Sequence, residues 1–183
     1  PQRSTGPAET GLHAPDACYK PPRMRSHQIF ASMGPEQAVD LFRELSKAAP
    51  GVAAQAVAAA AVAMKARPVY LKRQPVDKRA LSVRRALSRV ACEPIAAEVL
   101  AVYFLECRNE LLVEWLDSLG LEHEKGVLSA DAPPEPGNAE LTKAVDAFLA
   151  RDDDPGRRLL LAAFAAQQSI DWPGLDARVE ASA

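Results

Sequence analysis

The sequence predicts an all-α fold, an irregular bundle of about six helices arranged as consecutive antiparallel hairpins. Three observations carry that expectation. Helix punctuation recurs along the chain, with Pro35, Pro94 and Pro155 placed as first-turn residues and Gly120 placed as a helix stop. Strand signals are nearly missing: aromatics make up 5% of the chain, and no sustained apolar/polar alternation is visible. Apolar residues instead recur at three- and four-residue spacing. A length of 183 residues with 48% apolar and 25% charged composition suits a single well-buried domain. We assign that domain to residues 24–183. Residues 1–23, polar and rich in Pro and Gly, read as a disordered leader or a non-native extension, with Met24 the expected natural start.

The first helix is expected over Pro35–Ala48, with Val39, Phe42, Leu45 and Ala49 as its apolar stripe and Pro50-Gly51 as its stop. The second, about Val52 to Ala66, is almost all Ala and Val, has scarcely a polar face, and is therefore expected to be central. A connector with Pro68, Tyr70 and Pro75 leads to a third helix whose seam is Val76, Ala80, Val83, Leu87 and Val90. Glu93-Pro94 opens a fourth helix, expected to run unbroken to Leu119 as the spine of the domain. Gly120 and Leu121 then stand where a Schellman motif needs them, with Leu121 placed against Leu116. Residues 126–137 hold Pro and Gly enough to forbid a helix and are expected to form a mobile loop. Two further helices come next, at about 139–150 with Asn138 as N-cap and at about 155–168 capped by Asp154. A tail containing Ile170, Trp172 and Leu175 is expected to clasp the bundle or add a short helix.

Charge is the least ordinary property of the chain. Residues 65–89 carry nine Lys/Arg and a single acid, Asp77, whereas everything after them carries 18 Asp/Glu against seven Lys/Arg. Such segregation is resolved either inside the fold or by outside partners. The candidate interaction residues are therefore a basic stripe, Lys72, Arg73, Lys78, Arg84, Arg85 and Arg89, and an acidic face, Glu106, Glu110, Glu114 and Asp117, spaced along one helix. If the third and fourth helices form an antiparallel hairpin, Lys78 falls near Glu106 and Arg85 near Glu98, and the stripes neutralise each other. If they do not, the cations are free for a partner.

Chemistry motifs are missing: no GxSxG, GxxxxGK[ST], GxGxxG or HExxH occurs. Carboxylate metal chemistry in a bundle wants Glu-x-x-His pairs, and His13, His27 and His123 all fall outside the expected helices. His123, between Glu122 and Glu124, reads as a solvated loop residue. Cys18, Cys92 and Cys107, an odd number without CxxC spacing, suit reduced thiols in a cytoplasm. A net charge of −2 argues against a wholly nucleic-acid-binding surface. No apolar run is long enough to span a bilayer, and neither a catalytic residue, a cofactor nor a metal is expected. The leading expectation is a non-enzymatic helical module for protein–protein contact, as an adaptor or by self-association. The alternatives are a nucleic-acid-binding protein using residues 65–89, with Tyr70 available to stack, and a helical bundle holding a small molecule or metal near Tyr103, Cys107, Trp115, Glu106 and Glu110.

Overall fold

The computed structural model describes residues 23–151 and 154–181 and is all-α, with ten α-helices and one two-strand ribbon among the described residues. The expected leader lies almost wholly outside them. The additional helices arise from short segments that carry little periodic signal and from the division of the expected fourth helix. One is α1 (Ser26–Ser32), whose first-turn N–H groups, without intrahelical acceptors, find a partner far away in sequence. The Glu93 carboxylate accepts from Ser26 N at 2.9 Å and His27 N at 2.8 Å, and lies 2.6 Å from His27 Nδ1.

Helix α2 (Pro35–Ala48) has the predicted bounds and buries Ala38, Leu41, Phe42 and Leu45. Only Ala49 separates it from α3 (Pro50–Ala63), because proline at the first helical position needs no amide hydrogen there. Helix α3 departs from expectation. Ala53, Ala56, Val57, Ala60 and Ala61 face the core, but Ala54, Gln55, Ala58 and Val62 lie on an exposed face. A helix without a polar side gives no sign of which face will be left bare. Helix α4 (Pro68–Lys72) occupies the expected connector, and α5 (Val76–Leu87) packs on α2 and α3 through Ala80, Val83, Ala86 and Leu87. Val90, expected in that seam, is 73% exposed because the helix has already ended.

The fourth helix is not one element. Helix α6 (Glu93–Val102) passes into a π turn over Tyr103–Cys107, closed by Arg108 N on Tyr103 O at 3.1 Å, and leads on to α7 (Asn109–Ser118). The extra residue in a π turn rotates the downstream helix by about 100°. Helix α7 ends as expected: Gly120 has φ +64°, Leu121 N donates to Leu116 O at 3.1 Å, and Gly120 N donates to Asp117 O at 3.0 Å.

A ribbon of β1 (His123–Glu124) and β2 (Val127–Leu128) turns at Lys125 and Gly126, both with positive φ. It is clipped to α7 by Asn109 Nδ2 donating to Lys125 O at 2.9 Å and by His123, whose Nε2 lies 3.1 Å from Asp117 Oδ1. His123 is thus no solvated loop residue, and its partner is Asp117 rather than the flanking glutamates. Residues expected to form a mobile loop are tied down again further on, where Trp172 Nε1 donates to Pro133 O at 2.9 Å and Gly174 N to Glu135 Oε1 at 2.7 Å. Helix α8 (Asn138–Leu149) begins at Asn138, so Gly137 rather than Asn138 occupies the cap. Helix α9 (Pro155–Ala165) is capped by Asp154, which accepts from Gly156 N at 2.8 Å, and α10 (Pro173–Ala181) is the clasp. Four aromatic rings join these last elements into one core. Trp115 touches Phe148 and Phe164, at 5.3 and 6.1 Å between centroids, and Phe164 touches Trp172 at 5.4 Å.

Candidate interaction surface

The nine cations of residues 65–89 divide into two groups with different roles. Three arginines serve helix ends. Arg79 Nη1 donates to Lys72 O, the last residue of α4, at 3.2 Å; Arg84 Nη2 donates to Ala31 O in the last turn of α1 at 3.2 Å; and Arg89 Nη1 donates to Ala63 O, the last residue of α3, at 2.7 Å. Each bond satisfies a carbonyl that has no intrahelical partner or lies beside one, and each puts a positive charge at the negative end of a helix dipole. Arg79 also lies 5.8 Å over the Phe42 ring.

Lys65, Arg67, Lys72, Arg73, Lys78 and Arg85 are exposed, and their side chains make no hydrogen bond or ion pair among the described residues. The neutralisation expected between the third and fourth helices does not form. Helix α5 lies mainly against α2 and α3, so neither Lys78 nor Arg85 meets Glu106 or Glu98. Gln55 of α3 instead stands within hydrogen-bonding reach of Glu98, at 3.2 Å.

The same stretch and its immediate flanks, residues 62–90, hold most of the large exposed apolar side chains. Val62, Met64, Val69, Tyr70, Val76, Leu81 and Val90 are seven of the eight large apolar side chains left exposed among the described residues; Val127 is the eighth. On α5, Lys78, Leu81 and Arg85 stand at i, i+3 and i+7 on the face opposite the buried seam. The Arg79 and Arg89 bonds tie the ends of α4 and α3 to α5 and the turn after it, so the exposed residues stand on a band of three linked helices. Sequence reasoning found the cations of this band and missed its aliphatic members. Val62 was hidden in an all-apolar run, and Val69 in what read as a connector.

The acidic face is reorganised by the π turn. Glu110, Glu114 and Asp117 share one side of α7 and line an open groove against Ala144, Ala147 and Phe148 of α8. Glu106 lies back on the π turn, exposed and apart from them. Glu114 is half-buried and held by arginines rather than left to solvent. Arg157, which is buried, donates to it through Nη1 at 2.8 Å and Nη2 at 3.1 Å, and Arg151 Nη1 lies 2.7 Å from Oε1. The paired hydrogen bonds from Arg157 hold the Glu114 carboxyl below its ordinary pKa despite partial burial. The Arg157 guanidinium also stacks 4.6 Å over Phe148.

The remaining sequence candidates do not gather into a site. Trp115 is fully buried, Tyr103 is buried with its hydroxyl donating to Glu44 Oε2 at 3.0 Å, and Glu106 and Glu110 face solvent. Burial and the neighbouring Glu44 raise the Tyr103 pKa, and burial followed by Glu44 and Glu106 raises that of Cys107, so neither is activated as a nucleophile. Among the described residues no three His, Cys, Asp or Glu side chains converge to hold a metal ion. No helix among them is long and apolar enough to cross a membrane. No family model matches the chain, and no curated protein or solved structure matches it.

Proposed function

We propose that the protein is a non-enzymatic interaction module that docks an acidic protein partner on the band formed by the C-terminal end of α3, α4 and the outer face of α5. One observation carries this reading: exposed apolar side chains are concentrated where six cations stand without a partner among the described residues. Exposed apolar area gains free energy when a partner covers it, by roughly 25 cal/mol per Å². The surrounding cations select a partner of opposite charge and speed its arrival.

Nucleic acid is the second reading, favoured by the outward orientation of those same cations and by Tyr70, which is 60% exposed. The aliphatic side chains Val62, Val69 and Leu81 weigh against it, since phosphate and base stacking offer them little.

The test is capture from cell extract on immobilised full-length protein, comparing the wild type with Lys72→Glu/Arg73→Glu. Both residues are exposed and make no side-chain contact that holds the fold. The docking reading expects acidic proteins bound by the wild type, unaffected by nuclease and lost from the variant. Equal capture by both forms contradicts it, and nuclease-sensitive capture supports the nucleic-acid reading instead.

A further inference from the structure

The protein carries on one surface what its other surface fits. Residues 23–92 hold 13 Lys/Arg against four Asp/Glu, and residues 93–183 hold seven against 18. Folding keeps this division in space. Helices α1 to α5 pack with one another, α7 to α10 pack with one another, and α6 lies between the two groups. The molecule is therefore strongly polarised although its net charge is only −2. Polarised molecules of small net charge attract their own kind, because head-to-tail approach aligns opposite charges without net repulsion.

We infer that the acidic partner of the α3–α5 band is a second copy of this chain, which receives α4 in its α7/α8 groove. The match is one of polarity and charge. Helix α4 is short and projects Val69 and Tyr70, 55% and 60% exposed, with Lys72 and Arg73 beside them. The groove is an open space of about 770 Å³ whose floor is Val113, Ala144 and Phe148, kept wide by the small Ala144 and Ala147. Two carboxylates on its rim, Glu110 and Asp117, are exposed; Asp117 holds only His123, and Glu110 makes no ion pair among the described residues. Arg151 also lines the groove and shares Glu114 with Arg157, so three carboxylates stand against two guanidiniums and the rim stays negative through Glu110 and Asp117. An apolar knob flanked by cations thus meets an apolar floor flanked by carboxylates. Because the two surfaces differ, the contact is heterologous and leads to a growing head-to-tail series or a closed ring rather than a two-fold dimer.

This inference rests on the docking reading above, and its test separates the two. Sedimentation velocity of the full chain is compared at about 20 mM and about 500 mM salt, since screening over about 10 Å at 0.1 M weakens exposed charge contacts. The wild type is expected to sediment as species larger than one chain at low salt, increasingly so with concentration, and as one chain at high salt. Lys72→Glu/Arg73→Glu and Glu110→Lys/Asp117→Lys are each expected to stay single at low salt. Their equimolar mixture is expected to associate, since the first retains a native groove and the second a native knob. A wild type that stays single at low salt and high concentration overturns the inference, as does association that survives either charge reversal or a mixture that fails to associate. If the wild type stays single while capture of another acidic protein is still lost from Lys72→Glu/Arg73→Glu, docking stands and only the second copy falls. Circular dichroism of each variant at the wild-type helical signal guards against misfolding, and the salt response of the unaltered chain needs no variant.

Discussion

Two residues show how differently one local geometry is written in sequence. Gly120 and Lys65 both end a helix in a Schellman motif: Gly120 with φ +64°, and Lys65 with φ +53°, where Ala66 N donates to Ala61 O at 2.8 Å and Lys65 N to Val62 O at 3.0 Å. The first was legible because glycine is the residue that this position favours. The second was not, because lysine carries no such signature, and the helix was accordingly expected to run on to about Ala66, three residues beyond its end at Ala63. A side chain held at positive φ is strained, so Lys65→Gly is expected to stabilise the fold by about 0.5–1 kcal/mol, the relief of strain outweighing the greater freedom of glycine in the unfolded chain. Thermal unfolding checks this as a midpoint raised by about 2–4 °C, and Gly120→Ala is expected to lower stability by about 1 kcal/mol for the converse reason. Glu114 was legible as a carboxylate on α7, but its partner was not, because Arg157 lies 43 residues away and nothing local announces the pairing. Glu114→Ala removes two charge-assisted hydrogen bonds from the buried Arg157 guanidinium, and denaturant unfolding is expected to show a loss of about 3 kcal/mol.

At the scale of elements, amphipathic stripes and prolines were reliable guides, and two features that lack either were not. Helix α2 was placed at its observed bounds because a proline start and a three–four stripe agree. The π turn at Tyr103–Cys107 could not be read, since one inserted residue leaves the apolar composition of the segment unchanged and only rotates its register. It splits the expected acidic face and leaves Glu106 behind. Helix α1 was missed because its stability comes from outside itself. Burial pushes the Glu93 carboxyl up, but the His27 backbone N–H, the His27 ring and the Ser26 N–H outweigh it and hold the pKa below its ordinary value. A carboxyl with a depressed folded-state pKa contributes stability that is present above its unfolded pKa of about 4.3 and is lost as pH falls through the folded value. Glu93→Gln is therefore expected to cost about 1–2 kcal/mol near pH 7, with the gap to the wild type closing below about pH 4. Urea unfolding at a series of pH values checks this, and a gap that stays constant with pH contradicts the assigned role.

The whole molecule has a property that neither its residues nor its elements show alone: charge of opposite sign on opposite groups of helices. The sequence revealed the segregation along the chain, and the expected cancellation between neighbouring helices was the natural first resolution of it. Packing decided otherwise, because the apolar seam of α5 is buried against α2 and α3 and turns its cations outward. Three arginines were absorbed by helix ends, and six cations remained beside uncovered Val, Leu, Met and Tyr side chains. The proposed docking rests on that remainder. It is tested most directly by lysine acylation footprinting of the full chain, purified and then in nuclease-treated cell extract. Lys65, Lys72 and Lys78 are expected to lose reactivity in extract, while the exposed Lys47 and Lys125, which lie off the band, keep theirs. Equal reactivity of all five lysines in both conditions would contradict it.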